Sequence, residues 1–357
     1  MKKTLNKTKI ADFATYIGVV IAFIVMNALM NEGLLTRSMK GQLVPICCYI
    51  VMAVSLNLTV GILGELSLGH AGFMSVGAFT GVVTAMSLQS AIPSDGVRLA
   101  LAIVMGAIFA GIAGTLVGIP VLRLHGDYLA IVTLAFGEII KELINCLIIG
   151  HDENGLHIIF NATGAKTVTD LGLTETGKVL IKGAQGATGT DTIASFTAGF
   201  ILIMVTLVVV LNLARSRSGR AIMALRDNRI AAESVGINVT KYKLMAFVTS
   251  AALAGGAGAL YGLNFSNLVS SKFDFNTSIL ILVFVVLGGL GNMWGSIIAA
   301  AVLTVLPEAL RGFGMGEYLY DFPAALIFFY VVGPAVVVNV AFGSWVRGNI
   351  RRLLPEV

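Results

Sequence analysis

Apolar residues arrive along this chain in blocks of about 20, the length at which a helix rising about 1.5 Å per residue crosses about 30 Å of hydrocarbon. The blocks fall near 13–30, 43–61, 67–88, 97–121, 128–149, 194–214, 243–263, 277–292, 295–312 and 322–342. Soluble folds lay apolar positions in stripes or alternations rather than in unbroken runs. The pattern therefore predicts an all-α integral membrane protein, a polytopic bundle of about ten transmembrane helices with discontinuous glycine-rich segments.

Two polar stretches interrupt the blocks, 150–193, rich in Gly and Thr, and 215–243, rich in Arg. The remaining connections are short. Residues 1–357 read as a single membrane domain with no appended soluble enzyme.

Composition agrees: 57% of residues are hydrophobic and 12% charged, against roughly 25% charged in a soluble domain. The net charge of +5 follows topology rather than a nucleic-acid surface. With the N-terminus inside, inner segments hold 15 Lys and Arg and outer segments eight, while Lys141 lies within a span. By the positive-inside rule both termini are cytoplasmic, stretch 215–243 is cytoplasmic and stretch 150–193 is extracytoplasmic. The basic start, MKKTLNKTK, precedes an apolar run without a small-residue cleavage pattern, so it reads as an uncleaved first span. Cys47, Cys48 and Cys146 sit in apolar runs without metal or disulfide spacing and read as packing residues.

Glycine, 41 residues in all, occurs within the spans. The pairs Gly77/Gly81, Gly114/Gly118 and Gly258/Gly262 have the GxxxG spacing that lets helix backbones approach closely. The run GILGELSLGHAG from Gly61 to Gly72 carries Glu65, Ser67 and His70 between two spans. As unbroken helix, residues 43–88 would run about 69 Å, little more than two crossings, so the turn is very tight or embedded. Two readings stay open: a broken helix beside a solute path, where irregular backbone needs protein or a wet cavity around it, or a solvated hairpin. The run LGGLGNMWGS from Leu287 to Ser296 is a weaker candidate break, and a simple turn is favoured there.

In the fifth span, Lys141 can pair with Glu138 at i+3, with Glu142 adjacent. An internal ion pair is the main reading and a proton relay the minor one. If residues 219–235 form one helix, Ala221, Leu225, Ala232 and Val235 share a stripe and Gly236 stops it. That helix could lie on lipid, cap its own bundle or dock into a partner.

GLTETGK, from Gly172 to Lys178, lacks the Ser or Thr of a phosphate-binding loop. His70, His125, His151 and His157 form no HExxH or comparable metal set, and no GxSxG nucleophile motif occurs in a strand-to-helix context. An intramembrane enzyme is disfavoured.

Three patterns, GRAxxALRDNxxAAxxxGINVxxYK from Gly219, SLNLTVGxxGxLSLGHAGFxxVGA from Ser55 and LGGxGxxxG from Leu287, resemble the permease family of bacterial branched-chain amino-acid ABC importers, in its LivM-type subunit. The resemblance covers spans two to nine. It implies a permease in the bacterial cytoplasmic membrane, non-enzymatic and without its own cofactor, since ATP and Mg are used by partner subunits. The implied partners are a homologous second permease, two cytoplasmic ATPase subunits and an extracytoplasmic binding protein delivering leucine, isoleucine or valine, all in a lipid bilayer and without nucleic acid. Within 215–243 it implies a coupling helix fitted to the ATPase, comprising Gly219, Arg220, Ala221, Ala224, Arg226, Asp227, Ala231, Ala232, Glu233, Gly236 and Ile237. Solute passage falls to Asn57, Glu65, Ser67, His70 and Gly72. The chain departs from the family at GHDENGLHIIF, Gly150 to Phe160, where a TGGxxG pattern is common. Urea and short-amide importers have closely similar permeases.

Overall fold

A computed structural model describes residues 2–32, 37–89, 91–124, 126–152, 155–161, 168–172 and 177–311. Two compact units result, Met1–Ala301 and Val302–Val357; of the second, only the end of one helix is described. The tenth span expected at 322–342, the C-terminus, His125 and residues 173–176 of GLTETGK lie outside the described residues.

The helices are α1 (Lys2–Asn31), α2 (Arg37–Asn57), α3 (His70–Ser87), α4 (Asp95–Val121), α5 (Asp127–Asn145), α6 (Phe196–Arg215), α7 (Arg217–Asp227), α8 (Arg229–Ser234), α9 (Val239–Gly262), α10 (Phe275–Gly288) and α11 (Met293–Arg311). Among the described residues four segments are long and apolar enough to cross a membrane: Ser38–Leu63, Asp95–Val121, Phe196–Arg215 and Val239–Gly262. Shorter apolar helices are Thr15–Asn31, Phe275–Gly288 and Met293–Pro307. At about 1.5 Å per residue α4 alone is about 40 Å long. One of its faces, with Val104, Ile108, Ile112 and Leu116, is exposed and wholly apolar, suited to lipid.

The core is the mutual packing of α3, α4 and α9, and the small residues explain it. A Cβ at Gly77 of α3 would run into the Gly255 backbone of α9, and one at Gly255 would meet Ala110 and the Gly106 backbone of α4. Gly258 abuts the Met74 carbonyl, Gly114 abuts Ala251, and Gly262 abuts the Ala78 backbone. Backbones thus touch at Gly77, Gly258 and Gly262, while Gly114 and Gly118 make room for side chains of α9, and dispersion contacts replace the missing side chains.

Three expectations need correction. The chain is not purely helical: β1 (Leu147–Asp152) pairs antiparallel with β2 (Gly155–Phe160) and with β3 (Lys178–Lys182), while β4 (Ala187–Thr188) pairs with β5 (Asn267–Leu268). The fifth span stops at Asn145 rather than at 149, because Leu147 to Ile149 alternate in burial and join the sheet. The departure from the family pattern at Gly150 to Phe160 is therefore a β1–β2 hairpin segment. Arg98, buried at the start of α4, closes this end of the bundle by bonding Asp95 at 2.5 Å and Asp191 at 3.2 Å. Finally, the helix expected over 219–235 is two helices.

Candidate functional site

The break between α2 and α3 is packed against α5, α9 and α10 rather than forming a solvated hairpin. α2 passes into a π-helical turn, Leu58–Leu63, fully buried, and ends at Gly64 with φ +81°. A left-handed residue at a helix end is a glycine position, and here a Cβ would also come within 2.5 Å of Arg226 Cγ. Residues 64–69 then have no regular secondary structure before α3 begins at His70. Single π turns are rare and concentrate at functional sites.

Side chains from distant elements satisfy this irregular backbone. Leu68 N donates to Thr133 Oγ1 of α5 at 3.0 Å, and Ala71 N donates to Ser278 Oγ of α10 at 3.3 Å. Glu65 pairs with Lys243 of α9. His70 Nε2 lies 2.9 Å from Ser55 Oγ, whose hydroxyl donates to Met52 O at 2.9 Å, so the imidazole is the donor. Ser250 Oγ donates to the Ser55 carbonyl at 2.6 Å. Gly72 abuts the Gly137 backbone. Ser67, 3% exposed, is different: its hydroxyl has no hydrogen-bond partner.

Asn57 links this break to the other glycine-rich run. Its Oδ1 accepts from Gly291 N at 2.8 Å, and its Nδ2 donates to Ser296 Oγ at 2.8 Å and Asn292 O at 3.2 Å. The run from Leu287 to Ser296 forms a turn, as its sequence predicts: α10 ends at Gly288, and Gly289 to Asn292 lead into α11. Of the five residues assigned to solute passage, the structure brings all to one break, yet commits Asn57, Glu65, His70 and Gly72 to internal contacts.

Stretch 215–243 lies beside the π turn. Ser216 caps α7 by accepting from Gly219 N at 3.0 Å, and Gly219 is buried against the Leu213 and Ala214 carbonyls. The helix breaks at Asn228, with φ −156° and ψ 106°, whose Oδ1 accepts from Ala231 N at 3.1 Å and starts α8. An Asn side chain can replace the backbone partner of a free N–H, so it favours a new helix start over continuation. Asn238 caps α9 in the same way. The break rotates α8, so the expected stripe is corrected. Leu225 and Ala232 are buried with Val239, and Ala224, Ile237 and Tyr242 pack on them. Ile222 is fully buried, while Val235 is 75% exposed, as is Ile230 at 79%. Gly236 has φ +85° and ends α8.

Arg220 donates to the Arg215 carbonyl at 3.3 Å. Asp227 faces Arg226 at 3.3 Å and Glu233 pairs with Arg229 at 3.2 Å. Ala231 is exposed and Ala221 half-buried. Arg226 reaches the break itself, with Nη1 donating to the Gly61 carbonyl at 3.0 Å.

Lys141 pairs with Glu138 as expected, and Glu142 accepts from Asn145 at 3.1 Å. Sequence reasoning missed Lys243, Ser55, Thr133 and Ser296 as partners, because their mates lie far along the chain. The Asn228 break had a local signal, an Asn three residues before Ala231 in an otherwise helical pattern. No group of three or more His, Cys, Asp or Glu able to hold a metal occurs among the described residues.

A model of the family described as "Branched-chain amino acid transport system / permease component" matches residues 38–332. The high-affinity branched-chain amino acid transport system permease protein LivM of Escherichia coli (strain K12) is 35% identical over 275 residues, 74% of this chain and 62% of LivM. The chain thus spans under two thirds of that relative's length. LivH of Salmonella typhimurium is 21% identical over 274 residues, 76% of this chain and 84% of LivH. The fructose import permease protein FruG of Bifidobacterium longum is 30% identical over 127 residues, 34% of this chain and 37% of FruG. No solved structure matches. With a family model covering most of its length, this mostly helical membrane protein belongs to the branched-chain amino acid transport system permease family.

Proposed function

We propose that this chain is a non-enzymatic permease subunit of an ATP-driven ABC importer that moves leucine, isoleucine or valine across the bacterial cytoplasmic membrane. It works beside a homologous second permease, two cytoplasmic ATPase subunits and an extracytoplasmic binding protein. It binds no cofactor, ATP and Mg being used by the ATPases. The proposed topology has ten spans with both termini cytoplasmic, and rests on the excess of Lys and Arg in alternate connections.

One observation carries the reading. The α7–α8 pair buries Leu225 and Ala232 against Val239 at the start of α9, yet holds Ile230 and Val235 out at 79% and 75% exposure at the helix that carries the Arg229–Glu233 ion pair. A helix pair that only capped its own bundle would turn those side chains inward. Exposed apolar residues rimmed by charge suit a groove on a partner. The names of LivM and LivH support the substrate class. Solute passage is proposed beside the α2–α3 break, where Ser67 offers an unused hydroxyl.

The test is uptake into proteoliposomes holding the assembled complex. Labelled leucine should accumulate with internal ATP and binding protein, unlabelled isoleucine and valine should compete, and urea and acetamide should not. Uptake that ignores ATP and collapses with the proton gradient would replace this reading with a proton-coupled carrier. Competition by urea or amides would move the substrate class.

A further inference from the structure

Among the described residues no hydrogen bond or ion pair joins the α7–α8 pair to the glycine turn between α10 and α11, yet both are fastened to the six-residue π turn or to Asn57 at its start. Arg226 Nη1 donates to Gly61 O at 3.0 Å, and its aliphatic stem lies against Gly64. One turn earlier, Asn57 holds Gly291, Asn292 and Ser296 through three hydrogen bonds. A Cβ at Gly61 would strike both Asn57 Oδ1 and Gly291 N, so the π turn and the glycine turn are in backbone contact. Just beyond, Glu65 is paired with Lys243, near the start of α9, four residues after Val239 of the α7–α8 core.

We infer that the π turn Leu58–Leu63 is a mechanical relay, and that Arg226 is the positioning residue which carries movement of the α7–α8 pair into it and on to the α10–α11 turn. This rests on the proposed coupling role of α7–α8. Each hydrogen bond of a π turn spans one more residue than in the α-helix it interrupts, so the turn has slack to tighten without breaking the chain. A guanidinium donating to a backbone carbonyl is a charge-assisted bond that resists stretching more than a neutral one. The carbonyl it uses belongs to the π turn itself. Movement of α7 therefore pulls on backbone, and Asn57 passes that pull to Gly291 without a flexible side chain at the receiving end.

The experiment compares Arg226→Met and Arg226→Lys in the complete complex in proteoliposomes, reading three quantities: ATPase subunits retained on purification, ATP hydrolysed, and leucine transported per ATP. Methionine keeps the apolar stem against Gly64 and loses the donors; lysine keeps a donor. The relay predicts that Arg226→Met retains the ATPases and hydrolyses ATP while transport per ATP falls about tenfold, the scale of one charge-assisted bond. Arg226→Lys should recover most of that loss. A methionine variant that couples normally overturns the relay, and so does one that sheds the ATPases, since Arg226 would then be a docking residue. If the methionine chain itself cannot be recovered folded from the membrane, the lysine variant decides: normal coupling supports the relay, and lost coupling with ATPases bound overturns it. Failure of the wild-type chain to retain any ATPase would strike the proposed function instead.

Discussion

Lys243 of α9 and Glu65 of the segment between the π turn and α3 form an ion pair between positions 178 residues apart, with side chains 4% and 17% exposed. Neither charge has water enough to stand alone, and removing one strands the other. Breaking such a buried pair costs about 3 to 5 kcal/mol. Lys243→Met should therefore lower the melting temperature of the purified chain sharply. Exchanging the two charges, Glu65→Lys with Lys243→Glu, should recover much of the loss. A double variant no more stable than the worse single one would refute a direct pairing.

Asn57 serves as a clamp in this structure, with three bonds to the α10–α11 turn. Asn57→Leu takes the acceptor from the Gly291 N–H and the donor from Ser296, whose hydroxyl keeps its bond to Asn292 O, each lost bond costing about 0.5 to 1.5 kcal/mol. Asn57→Asp keeps the acceptor for Gly291 and loses both donors, so its loss should be intermediate. Thermal unfolding ranks the three proteins, and an order other than Asn, Asp, Leu counts against the clamp.

Ser67 gives an opposite expectation. Its hydroxyl is buried and unpartnered, so Ser67→Ala removes a desolvated polar group and should raise stability by up to about 1 kcal/mol. If the hydroxyl meets solute, leucine uptake should fall at the same time. A variant both more stable and fully active removes Ser67 from the solute path.

Gly236 ends α8 in the left-handed region with open space around it. Backbone conformation alone then decides which residue it tolerates, and Asn accepts that conformation where Val does not. Gly236→Asn should transport nearly as the parent does, and Gly236→Val should lose ATPase binding. Ala232→Glu should lose it as well, by forcing a carboxylate into the Leu225 and Val239 core. Co-purification of the ATPases with each variant is the measurement.

Gly77→Val should prevent folding, because a side chain there would have to displace the Gly255 backbone at the α3–α9 crossing. Overpacking a well-filled core costs about 1 to 3 kcal/mol when neighbours can move, and a backbone cannot move as a side chain does. Loss of monodisperse protein in detergent is expected, and a Gly77→Val chain that elutes and unfolds like the parent would contradict the close crossing.

The sequence alone determined the membrane class, most helix positions and the packing role of the GxxxG glycines, because each rests on local composition: run length, polarity and the absence of a side chain. It also marked the glycine-rich runs and the Arg-rich stretch as the segments apart from plain helix. Only the tertiary structure decided that the first run is a packed break, that Asn57 binds it to the second, and that Arg226 reaches Gly61. Those bonds join residues far apart in the chain, and a buried polar group is content with any partner that reaches it, so no local pattern names which one does. The same reason explains β1 and the split at Asn228: a short apolar run or an amphipathic stripe fits more than one backbone, and the neighbours that bury it choose.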